Sequence, residues 1–516
     1  MRNFFAVLAM YATTISVSGQ NFIYNVKELV PETNREQVIT KELQALIDKC
    51  HAEGGGQVYF PAGEYLTGPI ILKSNVYLYL SAGATLYGST DINDYTEETN
   101  KSLIYAKSAN NFGIIGNGTL NGQGDFFWRD KPRPYNRPWR FVLFEECTNI
   151  KVKDISMLNS PNWNLELLRC KFAWIDGVTM ISDIDSPNTD GIDPTSSSNI
   201  FISNCYFELG DDAICPKSRG DIPTENIVVQ NCIIKSDDSA IKLGTRSEAP
   251  IRNLLFSNIM IRDTQYGIAF FAKDGGVFEN IRFSNITIES ALNNDGKSDR
   301  PSGSYPIFMD IERRKPTGPI TPIRNIHFSD ITINTTDGHC LFLGQPDLYI
   351  EDISLNNINY YLEKHRTFEG SMKPRGVRSL THKDVNDYSD VPSNFTFAYI
   401  NGLSIDNLNI IDGDKSDEHE RHMIWGYCLK DVEIKGFSNK LAQPNTKLSQ
   451  IMFKEVEDVR ITSSKPYTTL TPFLEVTGQS SKNIAVVSND LGKIENAVEL
   501  DEKINKEELK MNANLK

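Results

Sequence analysis

Residues 186–245 read SPNTDGIDPTSSSNIFISNCYFELGDDAICPKSRGDIPTENIVVQNCIIKSDDSAIKLGT and contain a repeat that decides the fold. The segment NIFISNC begins at Asn199 and returns as NIVVQNC from Asn226. The anchor asparagine returns again at Asn253 and Asn280, each time after 27 residues, and at Asn325 after a longer interval. In every copy the first and third residues after the asparagine are apolar, which is typical of a short strand with one buried face.

A two-residue alternation inside a 27-residue period predicts stacked coils of short parallel strands. Leucine-rich repeats are excluded because the copies lack a leucine consensus, and propeller blades are excluded because their repeats are longer. We therefore predict an all-β protein, a single right-handed parallel β-helix over residues 20–500, with coils about 4.8 Å apart. Residues 40–51 form the one clear helix, which we expect to cap the open end of the stack.

Several segments fall outside this repeat. Residues 1–19 are predicted to be a signal peptide, because a positive start and an apolar run precede small residues at positions 17–19. We therefore expect a secreted or periplasmic protein. No other stretch reaches the about 18 apolar residues that would span a bilayer, so no membrane insertion is expected. Residues 291–304 and 361–394 are predicted insertions, and residues 501–516 are predicted to be a charged tail.

The composition narrows the class of partner. The formal charge of -14 argues against nucleic acid, since phosphate binding needs a basic footprint. Charged residues make up 23% and hydrophobic residues 40% of the chain, as in an ordinary folded protein. Eight cysteines in 516 residues do not make a disulfide scaffold. We expect a monomer.

The repeat register brings acidic residues together. Asp211 and Asp238 each follow an anchor asparagine by 12 residues, so they are predicted to lie one coil apart on the same face. Asp190 belongs to the preceding coil. Asp211 and Asp212 would face opposite ways on a regular strand, so both can serve one cleft only if a turn or bulge falls at Gly210. A lone Asp here would be interpreted as a turn residue, but a cluster in register favours acid–base chemistry.

Basic residues form a second column, 20 residues after each anchor. They are Arg219, Arg246, Lys273 and, less regularly, Arg300. Cations in line beside an acidic column suit an anionic polysaccharide. The alternative is a solvated, charged edge of the β-helix.

Two short motifs connect these acids to a known family. Asn188-Thr189-Asp190 and Gly210-Asp211-Asp212 resemble the acidic motifs of glycoside hydrolase family 28, the polygalacturonases and their relatives. The resemblance extends through residues 54–89, 116–128 and 137–170, and covers roughly residues 22–490.

The resemblance implies a pectin-lyase-like β-helix that hydrolyses pectic glycosidic bonds by a single displacement with inversion. It implies that Asp211 is the general acid and that Asp190 and Asp212 position and deprotonate water. Inversion usually places the carboxyl groups roughly 6.5–9.5 Å apart. No metal and no cofactor are expected, and the partner is a polysaccharide or oligosaccharide.

The sequence departs from the family pattern where the substrate is usually held. Ser239 stands where the family carries a histidine, and Gly267-Ile268-Ala269 stands where it carries Arg-Ile-Lys. The remaining candidates for substrate binding are Asn188, Asp238, Lys242, Arg246, Phe271 and Lys273, with Phe271 stacking on a sugar face. A rhamnogalacturonan or another branched glycan then fits better than plain galacturonan. A polysaccharide lyase and a non-catalytic glycan-binding helix are the alternative functions.

Overall fold

The computed structural model describes residues 22–29, 35–290, 304–315, 317–363, 392–413 and 420–515, which form a parallel β-helix. Each coil contributes a strand to three sheets, named sheet A, sheet B and sheet C in chain order. The predicted signal peptide and most of the two predicted insertions lie outside the described residues. The predicted all-β fold is confirmed.

Sheet A contains the anchor positions. Its strands are Ile23–Asn25, Gly56–Phe60, Val76–Leu80, Asn110–Gly116, Thr148–Lys153, Lys171–Asp176, Ser198–Ser203, Thr224–Ser236, Ile251–Thr264, Phe278–Ser290, Ile323–Thr335, Ile350–Leu362, Ser393–Asp412, His422–Lys435, Glu457–Thr462, Lys482–Val487 and Leu509–Asn512. All neighbouring pairs are parallel.

The longer strands of sheet A bend and continue into a neighbouring sheet. The separate strands of sheet B are Gly63–Thr67, Ala84–Gly88, Thr119–Asn121, Ser156–Leu158, Thr179–Ile181, Tyr206–Leu209 and Ser438–Leu441. The separate strands of sheet C are Ile70–Ile71, Ser102–Lys107, Arg140–Glu145, Trp163–Leu168, Ile192–Thr195, Ser239–Thr245, Tyr266–Ala272, Tyr305–Ile311, Cys340–Leu343, Ile451–Lys454, Leu474–Thr477 and Val498–Leu500.

The predicted register is the observed one. Ile200, Ile227, Leu254, Ile281 and Ile326 pair in succession across sheet A, and all five are buried. The interior is therefore a set of stacked apolar columns, in which each side chain contacts the equivalent residue of the next coil. Burial of such columns supplies the main stabilisation of a solenoid, because each coil packs only on its neighbours.

The anchor asparagines are selected by backbone conformation. Asn199, Asn226, Asn253 and Asn280 all have φ between 57° and 59°, a left-handed region that asparagine tolerates better than most residues. Their amides also hydrogen-bond from coil to coil, with Asn253 Nδ2 donating to Asn226 Oδ1 at 3.2 Å and Asn280 Nδ2 donating to Asn253 Oδ1 at 3.3 Å. The repeat in the sequence thus marks the bend at which each coil enters sheet A.

Helices lie mainly at the N-terminal end. Thr40–Ala52 buries Leu43, Leu46, Ile47 and Cys50 against the first coils, as predicted for a cap. The other helices are Val26–Leu29 and Asp125–Trp128, with 3₁₀ turns at Ile92–Asp94, Glu97–Thr99 and Lys506–Glu508. Within the described ranges, no helix is long and apolar enough to cross a membrane.

The C-terminal boundary differs from the prediction. Residues 501–516 were expected to be a charged tail, but Leu509–Asn512 pairs in parallel with Lys482–Val487 and extends the ladder by another strand. Leu509 packs against the core, whereas Lys510 is exposed. The high charge of this segment belongs to its outer face and conceals the alternation.

Candidate active site

The predicted acids meet at the start of sheet C. Ile192, Ile214 and Ile241 pair in succession, so Asp190 lies beside Asp212 on the next coil. The backbone confirms this register, because Gly191 N donates to Asp212 O at 2.9 Å. The interval between these two coils is 22 residues in sheet C, shorter than the 27-residue repeat.

A bend at Gly210 brings Asp211 to the same place. Gly210 N donates to Thr189 Oγ1 at 3.1 Å, and Asp212 N donates to Asp211 Oδ1 at 2.9 Å. A Cβ atom on residue 210 would lie 2.2 Å from the carbonyl oxygen of Ser186, so glycine is required for this close approach. One oxygen from each of Asp190, Asp211 and Asp212 consequently lies within 4.8 Å of the other two.

Burial and crowding change the acidity of this trio. Burial, and then the charges of Asp190, Asp212 and Asp238, raise the pKa of Asp211 well above its usual value. Burial also raises the pKa of Asp190 to about 7, although Lys217 opposes the shift. The cluster therefore combines a carboxyl group that favours its proton with one that titrates near neutrality, which is the difference that acid–base catalysis needs.

Two buried lysines hold the acids from below. Lys217 Nζ donates to Asp190 Oδ2 at 3.1 Å and also contacts Asp193, which is fully buried. Lys242 Nζ donates to Asp212 Oδ2 at 2.6 Å. Burial alone lowers the pKa of both lysines, but the surrounding carboxylates outweigh it and raise both values well above normal. Both ammonium groups therefore stay charged.

A second layer surrounds Lys217. Its Nζ lies 4.0 Å from the centre of the Trp163 ring, and the guanidinium of Arg140 lies 3.6 Å from the same ring. Arg140 Nε donates to Glu166 Oε2 at 2.6 Å, and Arg219 Nη2 lies 3.2 Å from Glu166 Oε1. Every charge in this layer thus has an opposite charge beside it, as buried ions require.

Asn188 lies between an arginine and the predicted general acid. Arg137 Nη2 donates to Asn188 Oδ1 at 2.7 Å, and Asn188 Nδ2 donates to Asp211 Oδ2 at 3.4 Å. Arg137 Nη1 is itself fixed by the carbonyl oxygens of Pro161 and Pro187. The structure therefore gives Asn188 a contact with Asp211 in addition to its predicted place in substrate binding.

Asp238 occupies the predicted position one coil beyond Asp211. Its charge raises the pKa of Asp211, and its Oδ1 accepts from Ser239 Oγ at 3.1 Å. Ser239 is buried and replaces the family histidine with a hydroxyl that points at Asp238. Ser236 Oγ donates to Asp211 O at 2.8 Å and joins the two coils.

Each of the three predicted cationic substrate contacts already has an acidic partner. Lys242 pairs with Asp212, Lys273 Nζ lies 2.6 Å from Glu312 Oε2, and Arg246 Nε lies 3.4 Å from Glu248 Oε1. Arg246 is exposed at the edge of the coil and has no printed contact with the acid trio. The predicted basic column therefore consists of ion pairs, and its remaining member, Arg300, lies outside the described residues.

Phe271 belongs to an apolar wall beside the acids. It is only 5% exposed and packs with Tyr266, Tyr305 and Phe308 on the outer face of sheet C. The ammonium groups of Lys242 and Lys273 lie 5.3 and 5.6 Å from its ring centre. The structure thus leaves little of the ring open for the predicted sugar stacking, and the ring mainly supports the two lysines.

The sequence did not single out Asp193, Lys217, Trp163 or Glu166. A signal for Lys217 was present, since Ile214 aligns with Ile241 and the outward positions that follow carry Lys217 and Lys242. The coil of Asp190 lacked such a signal, because Phe172 occupies its anchor position with φ 57° in place of asparagine.

The acid trio has the spacing of a metal-ligand set, as does the group of Asp190, Asp193 and Cys215. The donor chemistry does not favour a cation there. Lys217 and Lys242 already contact Asp190 and Asp212 with fixed positive charge, so a divalent cation would be repelled at this position. The expectation that the site works without a metal stays a prediction.

Comparison with known proteins places the chain in a family. The model of glycosyl hydrolases family 28 matches residues 50–361, and the chain belongs to this family, a class of glycosidases. It is 34% identical over 194 residues to a probable polygalacturonase from Vitis vinifera, covering 34% of this chain and 39% of that protein. It is 30% identical over 213 residues to an endo-polygalacturonase from Pectobacterium carotovorum, covering 35% of this chain and 51% of that protein. The match thus spans about half or less of these relatives.

Solved structures support the same fold. The family 28 exopolygalacturonase of Yersinia enterocolitica aligns with a TM-score of 0.57 at 18% identity, over 86% of this chain and 79% of that chain. The polygalacturonase of Erwinia carotovora aligns with a TM-score of 0.55 at 23% identity, over 65% of this chain and 94% of that chain. At these identities the likeness concerns the β-helix alone.

Proposed function

We propose that this protein is an exported glycoside hydrolase that cleaves a uronate-containing, pectin-type polysaccharide by a single displacement with inversion. The observation that carries the proposal is the convergence of Asp190, Asp211 and Asp212, with the pKa of Asp211 raised well above its usual range. Family membership and the polygalacturonase relatives support the substrate class.

In this mechanism Asp211 donates its proton to the leaving glycosidic oxygen. A water molecule attacks the anomeric carbon, and its proton passes to the carboxylates of Asp190 and Asp212. Asp212 Oδ1 is buried and has no hydrogen-bond partner among the described residues, so it is available to accept from this water. Lys242 occupies the other oxygen of the same carboxylate.

The spacing of the acids bears on the stereochemistry. Their oxygens approach within 4.8 Å, which is closer than the roughly 6.5–9.5 Å expected between the carboxyl groups of inverting enzymes. A water that donates hydrogen bonds of about 2.7–2.8 Å to two oxygens fits between atoms up to roughly 5 Å apart. The short spacing is thus compatible with a water bridging Asp190 and Asp212. A carboxylate nucleophile would instead give retention.

The walls of the site favour a substrate with a neutral sugar next to the uronate. Ala269 is fully buried where the family resemblance implies lysine, and the aromatic wall of Tyr266, Phe271 and Phe308 begins there. An apolar wall suits a deoxy or otherwise weakly polar sugar face, whereas a carboxylate beside it would lack a partner. We therefore favour a rhamnogalacturonan-type substrate.

The central test compares the wild-type protein with Asp211→Asn on a panel of homogalacturonan and rhamnogalacturonan oligosaccharides. We expect kcat to fall by about 10²–10⁴-fold, because the amide cannot donate the proton that assists departure. Asp185→Asn is the matched control, since Asp185 lies on an exposed turn of the same region. Full activity of Asp211→Asn would contradict the assignment.

Product analysis separates the competing functions. Proton NMR of the first product identifies the anomer, and retention of configuration would contradict the single displacement. Products that absorb in the ultraviolet would indicate an unsaturated uronate and hence a lyase. Binding of every panel member without any product would favour the non-catalytic alternative.

A further inference from the structure

A patch on the outer face of sheet A combines aromatic rings with lysines. Trp174 and Phe201 pair across successive coils, and their rings lie 6.0 Å apart at 10°. Both rings are exposed, by 36% and 41% respectively. Isolated exposed apolar residues are common on protein surfaces, but adjacent, nearly parallel aromatic rings are more informative.

The rings line a shallow cavity with defined polar edges. Its volume is about 450 Å³, and its lining residues are Lys151, Lys153, Trp174, Asp176, Phe201 and Ser203. Lys151 pairs with Trp174 across sheet A, and Lys153 pairs with Asp176, so two outward columns form the cavity. The cavity therefore spans three coils, and the parallel register fixes its geometry.

The charges of the cavity are not fully compensated. Lys153 Nζ lies 3.1 Å from Asp176 Oδ2, and Ser203 Oγ donates to Asp176 Oδ1 at 2.8 Å. Lys151 is exposed and has no ion-pair partner in the part of the chain that the structure describes. A positive charge thus remains beside the rings on a protein whose formal net charge is -14.

A second cavity on the same face provides a contrast. It lies near the C-terminal end and is lined by Asp431, Val432, Glu433, Asp458, Val459, Arg460, Asn483, Ala485 and Lys510. It has three acids against two bases and no aromatic residue. The pairing of aromatic rings with an uncompensated cation is therefore a feature of the first cavity and not of every groove on sheet A.

We propose that the Trp174–Phe201 cavity is an auxiliary binding site for a uronate-containing segment of the polysaccharide substrate, outside the catalytic cluster. The rings offer apolar surface to sugar faces, Lys151 attracts a carboxylate, and Asp176 and Ser203 present polar groups to hydroxyls. Trp174 and Phe201 lie on the sheet A strands that lead, along the chain, into the segments of Asp190 and Asp211. This inference rests on the proposed function, because the ligand is the same acidic polymer.

A second copy of this chain is the competing occupant. Sheet A continues beyond Phe201 with aliphatic Val228 and exposed Leu255, which would suit a protein contact. The sugar is favoured because the cavity itself ends in charged and hydroxyl groups, whereas protein interface cores are depleted of charge.

The test measures binding separately from hydrolysis. In the full chain with Asp211→Asn, which prevents cleavage, we compare affinity for polygalacturonate with and without Trp174→Ala plus Phe201→Ala. We expect about tenfold weaker binding, since two partly exposed rings are lost as contact surface. Lys151→Glu is expected to weaken binding as well, and Arg460→Ala in the second cavity serves as the matched control.

Unchanged affinity of the double variant would overturn the proposal, and so would equal affinity of the parent chain for polygalacturonate and neutral dextran. Sedimentation that shows a dimer dissociating in the double variant would assign the surface to a second copy and overturn it too. With Asp211 intact, hydrolysis of short oligosaccharides by the double variant should remain at the wild-type rate. Loss of hydrolysis in the wild type with polymer binding retained would refute the proposed function alone.

Discussion

Replacing Lys217 with methionine tests the electrostatics of the site. Lys217 Nζ lies 3.1 Å from Asp190 Oδ2 and also contacts Asp193, in surroundings where all three groups are buried. Two unit charges at this distance attract by about 5 kcal/mol at an effective dielectric constant of 20. Methionine fills a similar volume without the charge, so Asp190 loses the main influence that lowers its pKa.

The expected result is a loss of activity that depends on pH. The pKa of Asp190 is about 7 with Lys217 present. If only about 2 units of the available shift are realised, the ionised fraction of Asp190 at pH 7 falls about 50-fold. At pH 9 the same shift costs only about twofold, because both forms of the protein then ionise this carboxyl group to a large extent.

The assay is kcat/KM against pH for the wild type and Lys217→Met, with circular dichroism as a check on folding. Removing one partner of a buried ion pair usually costs about 3–5 kcal/mol of stability, so assays should be run well below the melting temperature. Lys235→Met is the control, since Lys235 pairs with Glu208 at the surface at 3.5 Å. A deficit that is the same at pH 7 and pH 9 would refute the electrostatic reasoning and indicate general damage.

Two further predictions follow from the same contacts. The pKa values of Asp190 and Asp193, about 7 and about 6, are raised above their unfolded values near 4. Their stabilisation is therefore present below about pH 4 and lost as the pH rises through 6 to 7, so chemical denaturation should give a lower free energy of unfolding at pH 8 than at pH 5, with a smaller decline in Asp193→Asn. For Asn188→Ala we expect kcat to fall about tenfold with little change in KM, because Asn188 positions Asp211. A large rise in KM at constant kcat would instead assign Asn188 to substrate binding.

The sequence by itself determined the architecture and part of the site. The 27-residue interval between Asn199, Asn226, Asn253 and Asn280 defined the coil, because asparagine marks the left-handed bend and the following residues alternate between core and solvent. Equal intervals then placed Asp211 one coil from Asp238 before any coordinates were considered. Local periodicity suffices here because each coil of a solenoid packs only on its neighbours.

Only the tertiary structure decided how the charges are paired. Asp190 meets Asp212 because one interval shortens to 22 residues in sheet C, and a single unequal coil disrupts any register counted from the anchors. Lys242 and Lys273 looked like free cations for a substrate carboxylate, yet they contact Asp212 and Glu312. Ion pairing depends on which side chains of neighbouring coils point the same way at distances of about 3 Å, and linear spacing does not encode that.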